Sequence, residues 1–171
     1  GLGQLDQARR VLGDLDASRT AELGAALMWK NTLVADLLLA EGRFVEALAF
    51  VSEMTTAGKA TGLNLLPIFT AQRHEIAAKA LVGLATLQSG RTRRRLAERA
   101  HRQAGSLLAH VRESHFKATA LRLLGQARLI AGQPDSAREV LEGALDVANK
   151  NGSLLEQTTI TTLLGSPPPP G

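Results

Sequence analysis

Arginines gathered in one stretch are the residues best suited to binding chemistry. Residues 91–95 read RTRRR, and two more arginines follow at positions 99 and 102. Concentrated positive charge attracts phosphate groups and acidic proteins, so the stretch is a candidate contact for an acidic partner. It is also consistent with a solvated helix face, because Glu98 lies one helical turn from several of these arginines. The candidate residues are Arg93, Arg94 and Arg95.

The other chemically capable residues show no catalytic or metal-binding pattern. The histidines, at positions 74, 101, 110 and 115, include no pair spaced by four residues. The sequence has no cysteine, no HExxH zinc motif, and neither a GxSxG nor a GxxxxGK motif. We therefore expect no enzyme activity, no metal and no cofactor.

Bulk composition indicates a folded, helical chain. Of 171 residues, 44% are hydrophobic, 21% are charged and only 3% are aromatic, so the core must be aliphatic. The net charge of +4 and the scarcity of aromatic side chains do not favour nucleic acid as a partner. No apolar run reaches the roughly 18 residues of a membrane span, and no signal peptide opens the sequence. Together with the absence of cysteine, this predicts a cytoplasmic protein that does not enter the membrane.

The clearest structural pattern is a pair of amphipathic helices within residues 118–150. Apolar residues recur there at spacings of three and four, which is the period of a helix face. Gly132-Gln133-Pro134 interrupts the pattern with a helix-ending glycine and a proline suited to a first helical turn. So short a connection predicts two antiparallel helices. The stripe residues are Ala120, Leu121, Leu124, Ala127 and Ala131, then Ala137, Val140, Leu141, Ala144, Leu145 and Ala148.

This hairpin resembles a tetratricopeptide repeat, a helical pair of about 34 residues. Leu124-Gly125 stands where that family has Leu-Gly, and Gly132 stands at the turn. Ala137 and Ala144 occupy the two small positions of the second helix. The resemblance implies an all-α fold, a tetratricopeptide-like α-solenoid of stacked antiparallel hairpins.

Weaker copies of the pattern run through the rest of the chain. Glycines at 3, 42, 90 and 132 mark successive turns at intervals longer than the usual repeat. The small residues after Gly90 are displaced, which predicts an insertion near residues 91–95, and Val82-Gly83 takes the Leu-Gly place. We expect a helical-repeat domain over residues 1–165 that begins mid-repeat, as a fragment of a larger chain, and a proline-rich tail or linker over residues 166–171.

The long repeats resemble the sensing arm of bacterial multidomain signalling ATPases of the maltose-regulon activator type. That resemblance implies a scaffold module that binds a protein, a peptide or a small effector, within a bacterial transcriptional or signalling regulator. The alternative is a helical domain that positions the substrate of a multidomain kinase or other enzyme.

In the tetratricopeptide family, fixed positions of each first helix line a concave groove. Carried onto this sequence, they make Asp36 and Arg122 groove residues whose charge is expected to be dispensable for stability. For Trp29, packing in the core is an equally open interpretation. The predicted partner-binding residues are Trp29, Thr32, Asp36, Leu84, Arg122 and Gln126.

Overall fold

The computed structural model describes residues 24–62, 64, 66–111 and 115–165. All regular secondary structure in this part of the chain is helical, which confirms the all-α class. The half-repeat expected at Gly3 and the proline-rich tail lie outside the described residues. The described helices are α1 (Gly24–Ala40), α2 (Phe44–Thr61), α3 (Pro67–Thr86), α4 (Gly90–His110), α5 (His115–Ile130), α6 (Pro134–Lys150) and α7 (Leu154–Gly165).

Three of the turns share one hydrogen-bonded geometry. At the α5–α6 turn, Gly132 has a φ of 79°, and its backbone N–H donates to the carbonyl of Leu129 at 3.0 Å. The N–H of Gln133 donates to the carbonyl of Arg128 at 2.9 Å. This is the Schellman motif, which needs a left-handed residue that glycine adopts without a Cβ penalty. The same bonds recur around Gly42 and Gly152, so the predicted turns at Gly42 and Gly132 are confirmed.

The α3–α4 turn follows a different rule. In those three turns, the positive-φ glycine stands two residues before the next helix begins. Here the positive-φ glycine, Gly90, is itself the first residue of helix α4. Helix α4 has 21 residues, against 17 in α6, and the additional four residues correspond to about one turn. The insertion expected near residues 91–95 is therefore an extra N-terminal turn of continuous helix. Beyond it, Ala97 and Ala104 are buried with the same spacing of seven as Ala137 and Ala144.

The helices pack in sequence order, and the two helices of each hairpin have different neighbours. Each helix contacts the one that follows it. The first helices, α1, α3, α5 and α7, also contact one another in succession. Within the described residues, the second helices α2, α4 and α6 show no comparable mutual contact. Within the described residues, successive first helices are therefore in contact with one another, whereas successive second helices are not.

Alanine allows these helices to approach closely. Ala78, Ala100, Ala104 and Ala120 have no exposed surface and meet in the core that joins α3, α4 and α5. The predicted small residues Ala137 and Ala144 are likewise fully buried. Since aromatics are scarce, short aliphatic side chains must fill the interior, and they do so only when the helix axes are close.

Gly125 lies where α5 packs tightly against α6. A Cβ atom added there would lie 2.5 Å from Cγ of Leu141, closer than packed carbon atoms can come. Gly83, expected in the equivalent position of α3, would instead meet the ring of Phe44 in the preceding helix α2. Gly83 and Gly125, both expected at the Leu-Gly position of the repeat, therefore contact different neighbours. The α3–α4 turn differs from the α5–α6 turn, so residues at the same distance before the two turn glycines are not equivalent.

Gly125→Ala is expected to destabilise the chain by about 1–3 kcal/mol, because the new methyl group would displace the buried Leu141 side chain. Gly143→Ala, in helix α6, provides the matched control. Nothing lies within 4 Å of a Cβ at Gly143, so the better helix propensity of alanine should raise stability by up to about 1 kcal/mol. Urea denaturation would show whether the free energy of unfolding falls in Gly125→Ala and rises in Gly143→Ala. Equal changes in the two variants would contradict the close packing at Gly125.

Candidate functional site

The predicted groove residues all lie on the first helices, but their environments differ. Trp29 belongs to α1, and its side chain lies outside the described residues. Asp36 is exposed, whereas Thr32, Leu84 and Gln126 are half-buried. Around Leu84, exposure changes along α3: Ala77 and Ala80 are buried, whereas Leu87 is 66% exposed.

Arg122 forms an ion pair with a glutamate of another helix. Its Nε donates to Oε2 of Glu156 in α7 at 2.6 Å, and its Nη2 donates to Oε1 at 3.3 Å. Thr119 Oγ1 donates to the same Oε1 at 2.8 Å, and Arg122 Nη1 donates to Oε1 of Gln126 at 2.8 Å. The side chains of Arg122 and Glu156 are only 11% and 12% exposed. Removal of the Arg122 charge would strand a nearly buried carboxylate, so we predict a loss of stability, in contrast to the expectation from sequence that this charge is dispensable.

Asp36 lies beside a second ion pair, which sequence reasoning missed. In α3, Lys79 Nζ lies 2.6 Å from Oε1 of Glu75. Burial raises the pKa of Asp36 above its ordinary value, Lys79 opposes the shift, and Glu75 adds to it. Ion pairing between residues four apart is the signal that could have identified Glu75 and Lys79.

These polar side chains all belong to the first helices α1, α3, α5 and α7 and form two groups, one on α1 and α3 and one on α5 and α7. We call the set Asp36, Glu75, Lys79, Thr119, Arg122, Gln126 and Glu156 the inner polar row. Electrostatic contact links Asp36 to α3, and the ion pair of Arg122 links α5 to α7. The row offers hydrogen-bond donors, acceptors and both charges.

The predicted arginines do not all face solvent. Arg94 and Arg95 are exposed on α4, whereas Arg93 is half-buried. Helix α4 contains six arginines and a single glutamate, so its charge of +5 exceeds the +4 of the whole chain. Positive charge is therefore concentrated on a second helix, away from the inner polar row.

A histidine cluster joins α3 to α4 without a carboxylate. His74 Nδ1 lies 2.7 Å from Oε1 of Gln103, and its ring centroid lies 5.5 Å from that of His110. Burial lowers the pKa of His74, His110 and Arg73 lower it further, and the bond to Gln103 opposes them. Among the residues described, no group of three or more His, Cys, Asp or Glu side chains could hold a metal ion. The surroundings of His74 therefore favour its neutral form.

Stability should decrease as the pH is lowered, because the fold favours the neutral form of His74. Its folded-state pKa lies below the unfolded value of about 6.5, so its contribution is complete above that pH. The contribution is lost as the pH falls through the folded-state pKa. Urea midpoints at pH 7.5 and 5.0 should differ less for His74→Asn than for the parent. An unchanged difference would show that protonation of His74 is not coupled to unfolding.

Within the described residues, no helix is both long enough and apolar enough to cross a membrane. Comparison with protein-family models, with curated proteins and with solved structures found no match to this chain.

Proposed function

We propose that the chain is a tetratricopeptide-like scaffold that binds a protein or peptide along the first helices. Three observations support the repeat architecture: the shared Schellman turns, the buried alanines at equivalent places, and the contacts that join successive first helices. A stack whose first helices touch while its second helices separate curves toward the first helices. The inner polar row then lies on the concave side, where repeat proteins bind extended partners.

Asp36 is the observation that carries the proposed binding mode. Asp36 is an exposed residue, its pKa is raised by partial burial, and Lys79, the cation that opposes this shift, already pairs with Glu75. A cationic side chain from a partner would stabilise the charged form of Asp36 more fully than the resting fold does. We therefore propose a peptide partner that carries a lysine or arginine. The role as the sensing arm of a bacterial regulator rests on the resemblance of the long repeats.

Selection from a displayed random-peptide library on the immobilised chain tests this function. The selected peptides should contain lysine or arginine, and Asp36→Asn should weaken their binding about fivefold, as expected for a partly exposed charge pair. Asp146→Asn, an exposed aspartate on the second helix α6, is the matched control and should leave binding unchanged. Peptides that bind the parent and both variants equally would contradict the proposal.

A further inference from the structure

A small cleft lies between α4 and the end of α5. Its volume is about 230 Å³, and alanines form its floor: Ala97 from α4, with Ala127 and Ala131 from α5 and the turn that follows. Ligand pockets for small molecules usually span roughly 300–1,000 Å³, so this one suits a single side chain better than a whole metabolite. An alanine floor offers apolar contact to methylene groups.

The rim of the cleft is cationic. Arg128 is held in place because its Nη1 donates to Oγ and to the backbone carbonyl of Ser136, at 2.8 and 3.2 Å. Both acceptors are neutral, so these bonds orient the guanidinium without compensating its charge. Arg102 approaches from α4. In the described part of the chain, no carboxylate lies within ion-pairing distance of Arg102 or Arg128.

Two further rim residues adjust the charge of the cleft. Burial lowers the pKa of His101, and the nearby Arg128 and Arg102 lower it further, so the imidazole is neutral and can donate or accept a hydrogen bond. Glu98 is exposed and contributes the one negative charge among the lining residues. Two guanidinium groups against one carboxylate leave the cleft positive. The exposed arginines of α4 extend this field along the helix.

We infer that this cleft binds a glutamate side chain from an acidic segment of a partner protein. The carboxylate would accept hydrogen bonds from Arg102 and Arg128, whose fork geometry matches two carboxylate oxygens. The two methylene groups of glutamate would lie on the alanine floor, which the shorter aspartate cannot reach as well. Neighbouring acidic residues would lie against Arg94, Arg95 and Arg99. The site is formed by α4 and α5–α6, so it is separate from the inner polar row.

A labelled ten-residue glutamate peptide and its aspartate counterpart test the inference by fluorescence anisotropy at low salt. The glutamate peptide should bind several-fold more tightly than the aspartate peptide. Arg102→Gln should weaken binding of the glutamate peptide about fivefold, and Glu98→Gln should strengthen it, because the two residues have opposite charges at one rim. Arg138→Gln removes an equal charge from an exposed position of α6 and should have no effect on this binding.

Three results would overturn the inference. Equal affinity for the two peptides would mean that no side chain enters the cleft. Equal losses in Arg102→Gln and Arg138→Gln would mean that binding follows net charge alone. A single-stranded RNA of the same charge that binds more tightly than the glutamate peptide would assign the surface to nucleic acid. Asp36→Asn should leave glutamate-peptide binding intact, so the outcome here is independent of the proposed function.

Discussion

Replacement of Ala137 by arginine is expected to lower the free energy of unfolding by about 4 kcal/mol. Ala137 has no exposed surface, and its carbonyl oxygen would lie only 3.4 Å from a Cβ at Gly125, where α5 meets α6. An arginine there must either force the helices apart or bury a charge without a partner. Losses of this size arise from few mechanisms, and an overpacked core with a stranded charge combines two of them.

The measurement is urea denaturation followed by circular dichroism at 222 nm. Ala49→Arg is the matched control, because Ala49 lies inside helix α2 with an exposed side chain. That variant should stay within about 0.5 kcal/mol of the parent, as surface substitutions usually do. Similar midpoints for Ala137→Arg and Ala49→Arg would mean that Ala137 does not lie between helices.

Glu156→Gln is expected to cost about 2 kcal/mol, although glutamine has nearly the same shape. The substitution removes the charge that compensates Arg122 while the guanidinium stays largely enclosed. Loss of one partner from a fully buried pair costs about 3–5 kcal/mol, and the residual exposure here reduces that figure. Glu142→Gln makes the same chemical change in the Arg138–Glu142 pair, which is 3.8 Å long and 65% and 60% exposed. It should cost less than about 0.5 kcal/mol.

A double-mutant cycle separates the interaction energy between Arg122 and Glu156 from the contribution of each residue alone. Arg122→Met combined with Glu156→Leu removes both charges and leaves shorter, apolar side chains. The double variant should be more stable than the sum of the single losses predicts, since neither charge is then stranded. Additive losses would show that Arg122 and Glu156 act independently. Binding experiments on Arg122 variants must therefore be accompanied by stability measurements.

The part of the fold that could be predicted best is the part whose turns and helices are determined by residues close together in the sequence. The α5–α6 hairpin could be placed from Gly132, Pro134 and the spacing of Ala137 and Ala144, because turn chemistry and helix periodicity act over a few residues. The α3–α4 turn could not be placed in the same way. There the glycine begins the helix, and one added turn shifts every later residue relative to it.

The candidate site depended on contacts that the linear pattern does not contain. Helix periodicity is sufficient to place Asp36, Arg122 and Gln126 within helices, and the structure has them in α1 and α5. Glu156 lies 34 residues beyond Arg122, and their meeting depends on how α7 is rotated about its own axis. The side chains that meet across helices are fixed by packing, whereas the periodicity of a single helix defines only its buried face.

The ion pair of Arg122 and Glu156 also makes the inner polar row conditional on the docking of α7. Helix α7 contacts only α5 and α6 among the described elements, so its detachment breaks fewer contacts than that of an internal helix. When α7 detaches, Glu156 leaves with it, and Arg122 and Thr119 are released to water. The surface then gains an uncompensated positive charge. Amide hydrogen exchange of α7 would therefore report the lifetime of two electrostatic states of the same binding face, one neutralised and one cationic.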